Sequence, residues 1–457
     1  MRRLTAARRA HDRPGRGGLL LHCALLVGAL LALPPTGDAR TFYVRQGAGN
    51  DANDGLSPAT AWQHVGRLSQ LMDAGDVAYV GPGLYREEIE VRRSGTAERP
   101  IVFVADDAGR NTGDAPGVVM LTGAEPVDES IFVPAGPPGV YTAPFHAWQV
   151  WGVIEMDGPQ GRYVRATITE EYLVQKRSAV DVVTQRRASY FYDEDTRTLY
   201  LHTSDDRPAN EHELELVQRG NGIVARGGKE WVTVIGFTVR HVQDAGVSFF
   251  NGSAHGTVVG LTAYGSRQGV RVYGSPDVCV YGSTLFRNEN SGVYFAARST
   301  GGRAIGNASY ENVKGLRWSS DSIDGMALDN ALFDNFERGL SLENADGAIV
   351  RDNRLVGNAV SQLQVLQSRY SADDNCFDAA AGQLVADFTP FGFQDRFEKL
   401  AAYQQVEHQD ARSREGRCGT LPPKVDVHAL HARTSGRSAG GELPGLLAFV
   451  RHWFRRD

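Results

Sequence analysis

Short runs of alternating apolar and polar residues return at a fixed spacing through the middle of the chain. A glycine-led pattern, usually glycine–apolar–x–apolar, begins at Gly222, Gly246, Gly269, Gly292, Gly315 and Gly339, and Gln362 takes the same position once more. Successive starts are 23 or 24 residues apart, and the alternation has the period of a strand. Self-similarity at a fixed period is the signature of a solenoid. The pattern predicts stacked coils of parallel strands around a narrow core.

The alternation also assigns the two faces of each strand. Apolar residues on either side of x point inward, and x points outward. Val272, Phe295, Trp318 and Leu342 are therefore predicted to form one internal stack. Asparagines recur at the same points of successive coils, in two columns: Asn288, Asn312, Asn335 and Asn358, and Asn307, Asn330, Asn353 and Asn375. Because asparagine tolerates the left-handed conformation at bends and stacked amides can bond one another, these columns are predicted to be structural.

The segments around the repeats differ from them in composition. An arginine-rich start, an apolar run at Leu19–Leu33 and small residues up to Ala39 predict a secretory signal peptide cleaved near Ala39, with an uncleaved N-terminal anchor as the alternative. The predicted organisation is a signal peptide (1–39), an N-terminal cap with the first coils (40–110), an inserted β-subdomain (111–220), the repeats (221–377), a C-terminal cap (378–420), and a linker with a basic tail (421–457).

The number of cysteines and the net charge narrow the class of protein. Beyond the signal segment the chain has Cys279, Cys376 and Cys418. An odd count in an exported protein allows one pair, and Cys376 and Cys418 lie where they could join the C-terminal segment to the solenoid. Cys279 lies on a repeat strand and is predicted to be unpaired packing. A formal net charge of −6 with mixed charges argues against a nucleic-acid partner, which needs a basic face.

Several stretches outside the repeats resemble known proteins. Gly47–Gly55 and Gly83–Glu87 follow the order of an N-terminal cap, Phe191–Leu201 predicts a hairpin with an acidic turn, and Tyr403–Ser413 is similar to a C-terminal element. Together they resemble secreted β-helix proteins related to polysaccharide lyases and β-helical glycosidases. The resemblance implies an all-β, right-handed parallel β-helix with an inserted β-subdomain and terminal helical caps. The hand agrees with the general preference for right-handed parallel crossovers. It further implies a secreted or periplasmic carbohydrate-active protein, whether lyase, glycosidase or uronate epimerase.

On a solenoid, the side chains that bind or act on a substrate must occupy the outward positions of the strands. With strands about 4.8 Å apart, Arg271, Tyr294 and Arg317 should stack on three adjacent coils. Arginine binds a carboxylate through a two-pronged contact, and guanidinium groups beside a phenol would favour its action as a base. The hypothesis is a uronate site with catalytic Tyr294, Arg271 and Arg317 and with substrate-binding Tyr273, Glu343 and Ser319. A cation–π ladder that only covers the sheet is the alternative.

Other chemistries stay open at this point. A glycosidase needs two carboxylates beside the scissile bond, for which Glu343, Asp321 and Asp324 are candidates. Some β-helix lyases use a lysine base, but Lys314 is predicted to lie in the turn before its strand. A non-catalytic carbohydrate-binding envelope protein needs only an aromatic and polar face. An ordinary turn is favoured at Asn50–Asp54, although its oxygens would suit calcium.

The sequence therefore predicts an exported protein that acts on an acidic polysaccharide. Among the activities considered above, a polysaccharide lyase is favoured. Its partner is predicted to be the polysaccharide, with no nucleic acid, no membrane span after signal removal and a monomeric state. The sequence establishes no cofactor, and calcium is the candidate that stays open.

Overall fold

The protein is described by a computed structural model that covers residues 39–145, 150–157, 164–165, 179–389 and 395–434. For residues 164–165 and 431–434 it describes the backbone alone. The predicted signal peptide up to residue 38 and the basic tail lie outside these residues. No helix in the described ranges is long and apolar enough to cross a membrane.

Three parallel ladders of strands run along the solenoid, and strands are numbered in chain order. The first ladder contains β4 (Ile89–Val91), β15 (Asn221–Arg226), β18 (Ala245–Phe250), β21 (Gln268–Tyr273), β24 (Ser291–Ala296), β27 (Lys314–Ile323), β30 (Arg338–Arg351), β32 (Ser361–Leu366) and β35 (Leu384–Thr389). An antiparallel strand, β36 (Asp395–Phe397), pairs with β35. The regular pairing from one coil to the next is that of a parallel β-helix, which confirms the predicted fold.

The other two ladders complete each coil. The second contains β1 (Thr41–Val44), β2 (Val77–Val80), β5 (Ile101–Ala105), β16 (Val232–Ile235), β19 (Thr257–Val259), β22 (Cys279–Tyr281), β25 (Arg303–Ile305), β28 (Met326–Leu328), the far half of β30 and β33 (Arg369–Asp373). The third contains β3 (Gly83–Tyr85), β6 (Val119–Thr122), β17 (Thr238–Arg240), β20 (Thr262–Tyr264), β23 (Thr284–Phe286), β26 (Ala308–Tyr310), β29 (Ala331–Phe333), β31 (Arg354–Val356), β34 (Cys376–Asp378) and β37 (Arg414–Glu415).

The inserted segment forms two small sheets of its own. Their strands are β7 (Ala124–Pro126), β10 (Gly152–Glu155) and β14 (Leu214–Val217) in one, and β8 (Val133–Pro134), β9 (Val140–Pro144), β11 (Val164–Arg165), β12 (Ser189–Asp193) and β13 (Thr198–His202) in the other. The predicted hairpin is confirmed, since β12 and β13 pair antiparallel around its acidic turn.

Short helices accompany the strands. The α-helices are α1 (Gly66–Leu71), α2 (Ala179–Thr184), α3 (Leu400–Glu407) and α4 (Val427–Thr434), and the 3-10 helices are η1 (Pro58–Thr60), η2 (Glu129–Ile131) and η3 (Ala209–Glu211). Leu68 of α1 packs against the core near the first coils, and Leu400 and Tyr403 of α3 pack against it near the last strands. The helices α1 and α3 thus agree with the predicted caps, which keep solvent from the open ends of a solenoid.

The internal stack lies where the alternation predicts it. Val272, Phe295, Trp318 and Leu342 pair in register and are fully or almost fully buried. The rings of Phe295 and Trp318 stack with centroids 4.8 Å apart. The repeated glycine has a steric reason, because a Cβ at Gly269 would lie 2.6 Å from the carbonyl oxygen of Gly292 on the next coil.

Both asparagine columns form buried ladders. Asn330 Nδ2 donates to Asn353 Oδ1 (2.9 Å), and Asn335 Nδ2 donates to Asn358 Oδ1 (2.8 Å), with the same contact repeated along each column. The amides satisfy each other and nearby carbonyl groups, which a buried polar group requires. One part of the prediction is wrong: the left-handed residue of these bends precedes the asparagine, as at Glu311 (φ 53°) before Asn312.

The C-terminal segment is attached to the solenoid. Cys376 and Cys418, for which the sequence allowed a pair, form a disulfide, and Cys279 is buried and lies outside this disulfide. Residues 421–430, which the composition predicts as linker, pack on the outward side of the third ladder. There Leu430 is buried and Val425 N donates to Tyr310 Oη (2.8 Å). The segment covers a column of stacked aromatic rings, Tyr264, Phe286, Tyr310 and Phe333.

Candidate functional site

The outward side of the first ladder brings the predicted catalytic residues into one column. Arg271 pairs with Tyr294, and Tyr294 pairs with Arg317, on β21, β24 and β27. Ser341 and Gln364 continue the column on the next two coils. Parallel register places these side chains about 4.8 Å apart along the solenoid. The three residues are therefore neighbours on one surface.

A three-residue ion cluster lies at the centre of this surface. Lys314 Nζ donates to Glu343 Oε1 (2.6 Å), and Arg317 donates to Glu343 Oε2 through Nε (3.0 Å) and Nη2 (2.5 Å). Ser341 Oγ is a further donor to Glu343 Oε1 (2.7 Å). Two cations thus share one carboxylate, which leaves one positive charge in excess. We call Lys314, Arg317 and Glu343 the central cluster.

The location of Lys314 differs from the prediction. It is the first residue of β27, pairs with Arg338 and lies on the outward side, not in a turn before the strand. Its side chain is only 13% exposed. The strand begins one residue before its glycine. The same is true of every strand of the first ladder from β15 to β30. The site therefore contains a lysine that the sequence pattern did not reveal.

Tyr294 lies directly against the central cluster. The guanidinium carbon of Arg317 is 4.9 Å from the centroid of the Tyr294 ring, within the range of a cation–π contact. The Tyr294 hydroxyl shares a hydrogen bond with Ser319 Oγ (3.0 Å), and Ser319 is buried. Tyr294 is partly exposed, so the side chain is held by two contacts and is still accessible from solvent.

Arg271 makes its contacts on the other side of Tyr294. Its Nη1 donates to both carboxylate oxygens of Asp244 (2.8 and 2.7 Å). Its guanidinium carbon is 4.5 Å from the Phe250 ring centroid and 4.8 Å from that of Tyr273. Tyr273 is more exposed than its neighbours in the column. Arg271, Phe250 and Tyr273 therefore form an aromatic platform whose cation is already neutralised by Asp244.

Glu343 is ionised more readily than a free glutamate. Burial alone would raise its pKa, but hydrogen bonds from Lys314, Ser341 and Arg317 outweigh burial and lower the pKa below its ordinary value. A carboxyl group held in this way is a poor general acid. It serves to position the two cations.

A groove continues the surface towards the inserted subdomain. It has a volume of about 370 Å³, and its lining includes Glu88, Trp151, Asn221, Asp244 and Phe250. Trp151 thus contributes to a groove wall while also packing against the small core of the inserted subdomain. Glu88 accepts a hydrogen bond from Asn221 N (2.7 Å), but burial outweighs it and raises the pKa of Glu88 above its ordinary value.

The remaining acidic candidates lie elsewhere. Asp321 is an exposed residue within the irregularity of β27 between Ser319 and Ser322, and Asp324 is an exposed residue just after the strand. Both have left-handed backbone angles. In the turn considered for calcium, Asn50 and Asp54 side-chain oxygens accept from backbone N–H groups two residues ahead, the bonding of an ordinary turn.

The sequence missed three groups that line this surface. Lys314, Asp244 and Glu88 all occupy positions before or outside the glycine–apolar–x–apolar core of the repeat. The repeated position that precedes the glycine carries a signal that could have identified the first of them. It holds polar residues on most coils, including Asn221, Gln268, Ser291, Lys314, Arg338 and Ser361. Asp244 and Glu88 reach the surface through folding contacts that no periodic pattern encodes.

The comparisons with known proteins concern the fold. Residues 201–376 match the family model described as "Periplasmic copper-binding protein (NosD)". A structure of XylC in complex with xylose is similar with a TM-score of 0.57 and 16% identity, over 74% of this chain and 66% of that one. The chain thus spans just under two thirds of XylC.

Two further structures are similar at lower scores. Pectate lyase Pel9A has a TM-score of 0.45 and 12% identity, with 80% of each chain covered. A structure described as a glycoside hydrolase has a TM-score of 0.43 and 12% identity, over 75% of this chain and 88% of that one. No curated protein matches the chain. At 16% identity the likeness to XylC is one of fold alone.

Proposed function

We propose that this protein is an exported polysaccharide lyase that acts on an acidic polysaccharide at the outward side of the first ladder. The observation that carries the proposal is the central cluster, in which Lys314 and Arg317 share the single carboxylate of Glu343 beside the ring of Tyr294. One uncompensated positive charge next to a proton-transfer group suits a sugar that bears a carboxylate. The predicted signal peptide supports export.

The proposed reaction is a β-elimination. Arg317 and Lys314 bind the carboxylate of the uronate, which makes the neighbouring C5–H more acidic. Tyr294 in its deprotonated form accepts that proton. The C5–H electron pair becomes the C4=C5 double bond as the C4–O bond breaks, and the leaving oxygen takes a proton from Tyr294 or Lys314. Atoms and charge balance without a cofactor.

The aromatic platform supplies neighbouring sugar contacts. Phe250 and Tyr273 present ring faces along the ladder, and Ser319 holds Tyr294. The groove lined by Trp151 and Asn221 extends the surface past the platform. A polymer lying across successive coils would therefore meet charged, aromatic and polar groups in turn.

A glycoside hydrolase is a second candidate, favoured by one specific observation. Glu88 and Asp244 line the same groove, and burial raises the pKa of Glu88 while Asp244 is held by Arg271. Glycoside hydrolysis uses two carboxyl groups in unlike surroundings beside the scissile bond.

One assay separates the two reactions. The protein would be incubated with a panel of uronate polymers, and both absorbance of unsaturated product and new reducing ends would be followed. The lyase proposal expects both signals to rise together and to fall by about a hundredfold in Tyr294→Phe, with activity retained in Glu88→Gln. Reducing ends without absorbance, abolished by Glu88→Gln, would favour the hydrolase. The absence of both signals on every uronate polymer would contradict the lyase proposal.

A further inference from the structure

A histidine and three carboxylates meet inside the inserted subdomain, away from the first ladder. Glu155 ends β10, Asp157 follows it, and His212 lies between η3 and β14. One ligand atom from each of these three residues lies within 4.8 Å of the others. Asp205, in the connection after β13, approaches the histidine from the other side.

The distances at His212 fit a metal ion. His212 Nδ1 lies 3.2 Å from Asp157 Oδ2 and 3.6 Å from Glu155 Oε1. Two ligand atoms at about 2.1 Å from a tetrahedral Zn²⁺ ion are themselves about 3.4 Å apart. The nitrogen therefore has ligand spacing from each carboxylate, and all three ligand atoms lie within 4.8 Å of one another. Without an ion, the contact between His212 Nδ1 and Asp157 Oδ2 is a hydrogen bond, which a bound metal would replace.

The second ring nitrogen gives an independent indication. His212 is buried, and its Nε2 is a buried atom without a hydrogen-bond partner. Asp205 Oδ1 is 3.2 Å away, but the contact lacks hydrogen-bond geometry. When Nδ1 binds a metal, the proton resides on Nε2 and is usually donated to a carboxylate. A small rotation of the exposed Asp205 side chain would complete that arrangement.

The surroundings keep the ligands in place. Ser204 N donates to Glu155 Oε2 (3.2 Å), and Glu213 N donates to Asp157 Oδ1 (3.0 Å). Asp205 is also bound by Arg207 Nε (2.7 Å). Glu155 is almost fully buried, whereas Asp157 is partly exposed. Solvent can therefore reach the site from the Asp157 side, where Arg207 Nη2 lies 3.7 Å from Asp157 Oδ2, and a bound ion would take over this contact with the carboxylate.

We propose that Glu155, Asp157 and His212 form a binding site for a divalent transition-metal ion of the Zn²⁺ type, with Asp205 supporting His212. Three protein ligands leave a fourth position for water or a substrate atom. A set that includes imidazole disfavours Ca²⁺, which takes six to eight oxygen ligands. The ion would join β10 to the connections on either side of η3.

The test is titration of the untagged mature chain, after treatment with a chelator, with ZnCl2 and separately with CaCl2. Isothermal titration calorimetry should give one Zn²⁺ per chain and no Ca²⁺ binding at this site. Asp157→Asn is the main variant, because Asn keeps the acceptor for Glu213 N. It should weaken Zn²⁺ binding by about 10-fold or more, since even residues that only support a ligand change affinity by about 10- to 100-fold.

A matched control is available at the N-terminal cap. Asp51 and His64 form an exposed pair (2.6 Å), and Asp51→Asn should leave the affinity for Zn²⁺ unchanged. The site is supported if the wild-type chain binds one Zn²⁺ ion and only Asp157→Asn, not Asp51→Asn, weakens this binding. Binding that is absent from the wild-type chain, equal in both variants, or lost only in Asp51→Asn overturns it. These readouts do not depend on activity towards a polysaccharide, so the lyase proposal can fail or succeed separately.

Discussion

The first and third ladders belong to the same coils but present different outward surfaces. On the third ladder the outward side chains are a column of stacked rings, from Tyr264 to Phe333, which residues 421–430 cover. On the first ladder the outward side chains include buried hydroxyl and amide groups, such as Ser341 and Gln364. The central cluster and Tyr294 beside them stay partly exposed. Inward, the two ladders share one apolar core. The comparison shows that the repeat determines the apolar core. The outward side chains of a ladder can either be covered by another segment of the chain or stay open to bind a ligand.

The shared core should give the largest stability effect. Trp318→Ala removes a ring that is stacked on Phe295 and almost fully buried. We expect a loss of about 3 to 5 kcal/mol in the free energy of unfolding, measured by chemical denaturation. A loss of less than about 0.5 kcal/mol, the size of a surface effect, would contradict the assignment of inward and outward faces.

The covered surface should give the next largest effect. Leu430→Ala removes a buried contact between the C-terminal segment and the third ladder. The free energy of unfolding should fall by about 2 to 3 kcal/mol, and activity on a polysaccharide should be unchanged. A stability equal to that of the wild type would show that the segment does not close this ladder.

The central cluster should contribute a smaller, pH-dependent term. Glu343→Gln removes a carboxylate that accepts from Lys314, Arg317 and Ser341, and we expect a loss of about 1.5 kcal/mol at pH 7. Because these contacts lower the pKa of Glu343 from its ordinary 4.5, its contribution is full above pH 4.5. It disappears as the pH falls through the lowered pKa.

Denaturation curves at several pH values check this sign. The difference in the free energy of unfolding between wild type and Glu343→Gln should become smaller as the pH drops below 4.5. A difference that widens with acidification would mean that the folded protein binds the Glu343 proton more tightly than the unfolded chain.

The smallest stability effects come from a matched pair of tyrosines. Tyr294→Phe on the first ladder and Tyr310→Phe on the third each remove one hydroxyl contact. Each should cost less than about 1.5 kcal/mol. Turnover should fall by about a hundredfold in Tyr294→Phe alone. Equal activity in the two variants would remove Tyr294 as the proton-transfer group.

The sequence predicted the fold and the column of the site because both depend on periodicity. The period of 23 or 24 residues determines which side chains pair, so Arg271, Tyr294 and Arg317 could be aligned without coordinates. The contacts of each side chain were not predictable in this way. The partner of Arg271 is Asp244, which lies in a turn, and Lys314 reaches Glu343 across a coil because its strand begins before the glycine.

The closing segment illustrates the same limit. Its composition, rich in proline, glycine and serine beyond residue 420, is typical of a linker. A few apolar residues, including Val425 and Leu430, are enough to attach it once an aromatic column is present to receive them. Such packing between segments that are distant in sequence depends on the tertiary structure, and the local pattern of apolar and polar residues does not predict it.

The most direct test of the proposed uronate site compares two arginine–glutamate pairs on different ladders. Arg317 pairs with Glu343 on the first ladder, and the exposed Arg287 pairs with Glu311 beside the third. Binding of a uronate polymer would be measured at several salt concentrations for wild type, Arg317→Gln and Arg287→Gln. The account predicts that Arg317→Gln weakens binding by about 10-fold or more and reduces its salt dependence, while Arg287→Gln binds as the wild type does. Unchanged binding in Arg317→Gln, or an equal loss in both variants, would contradict it.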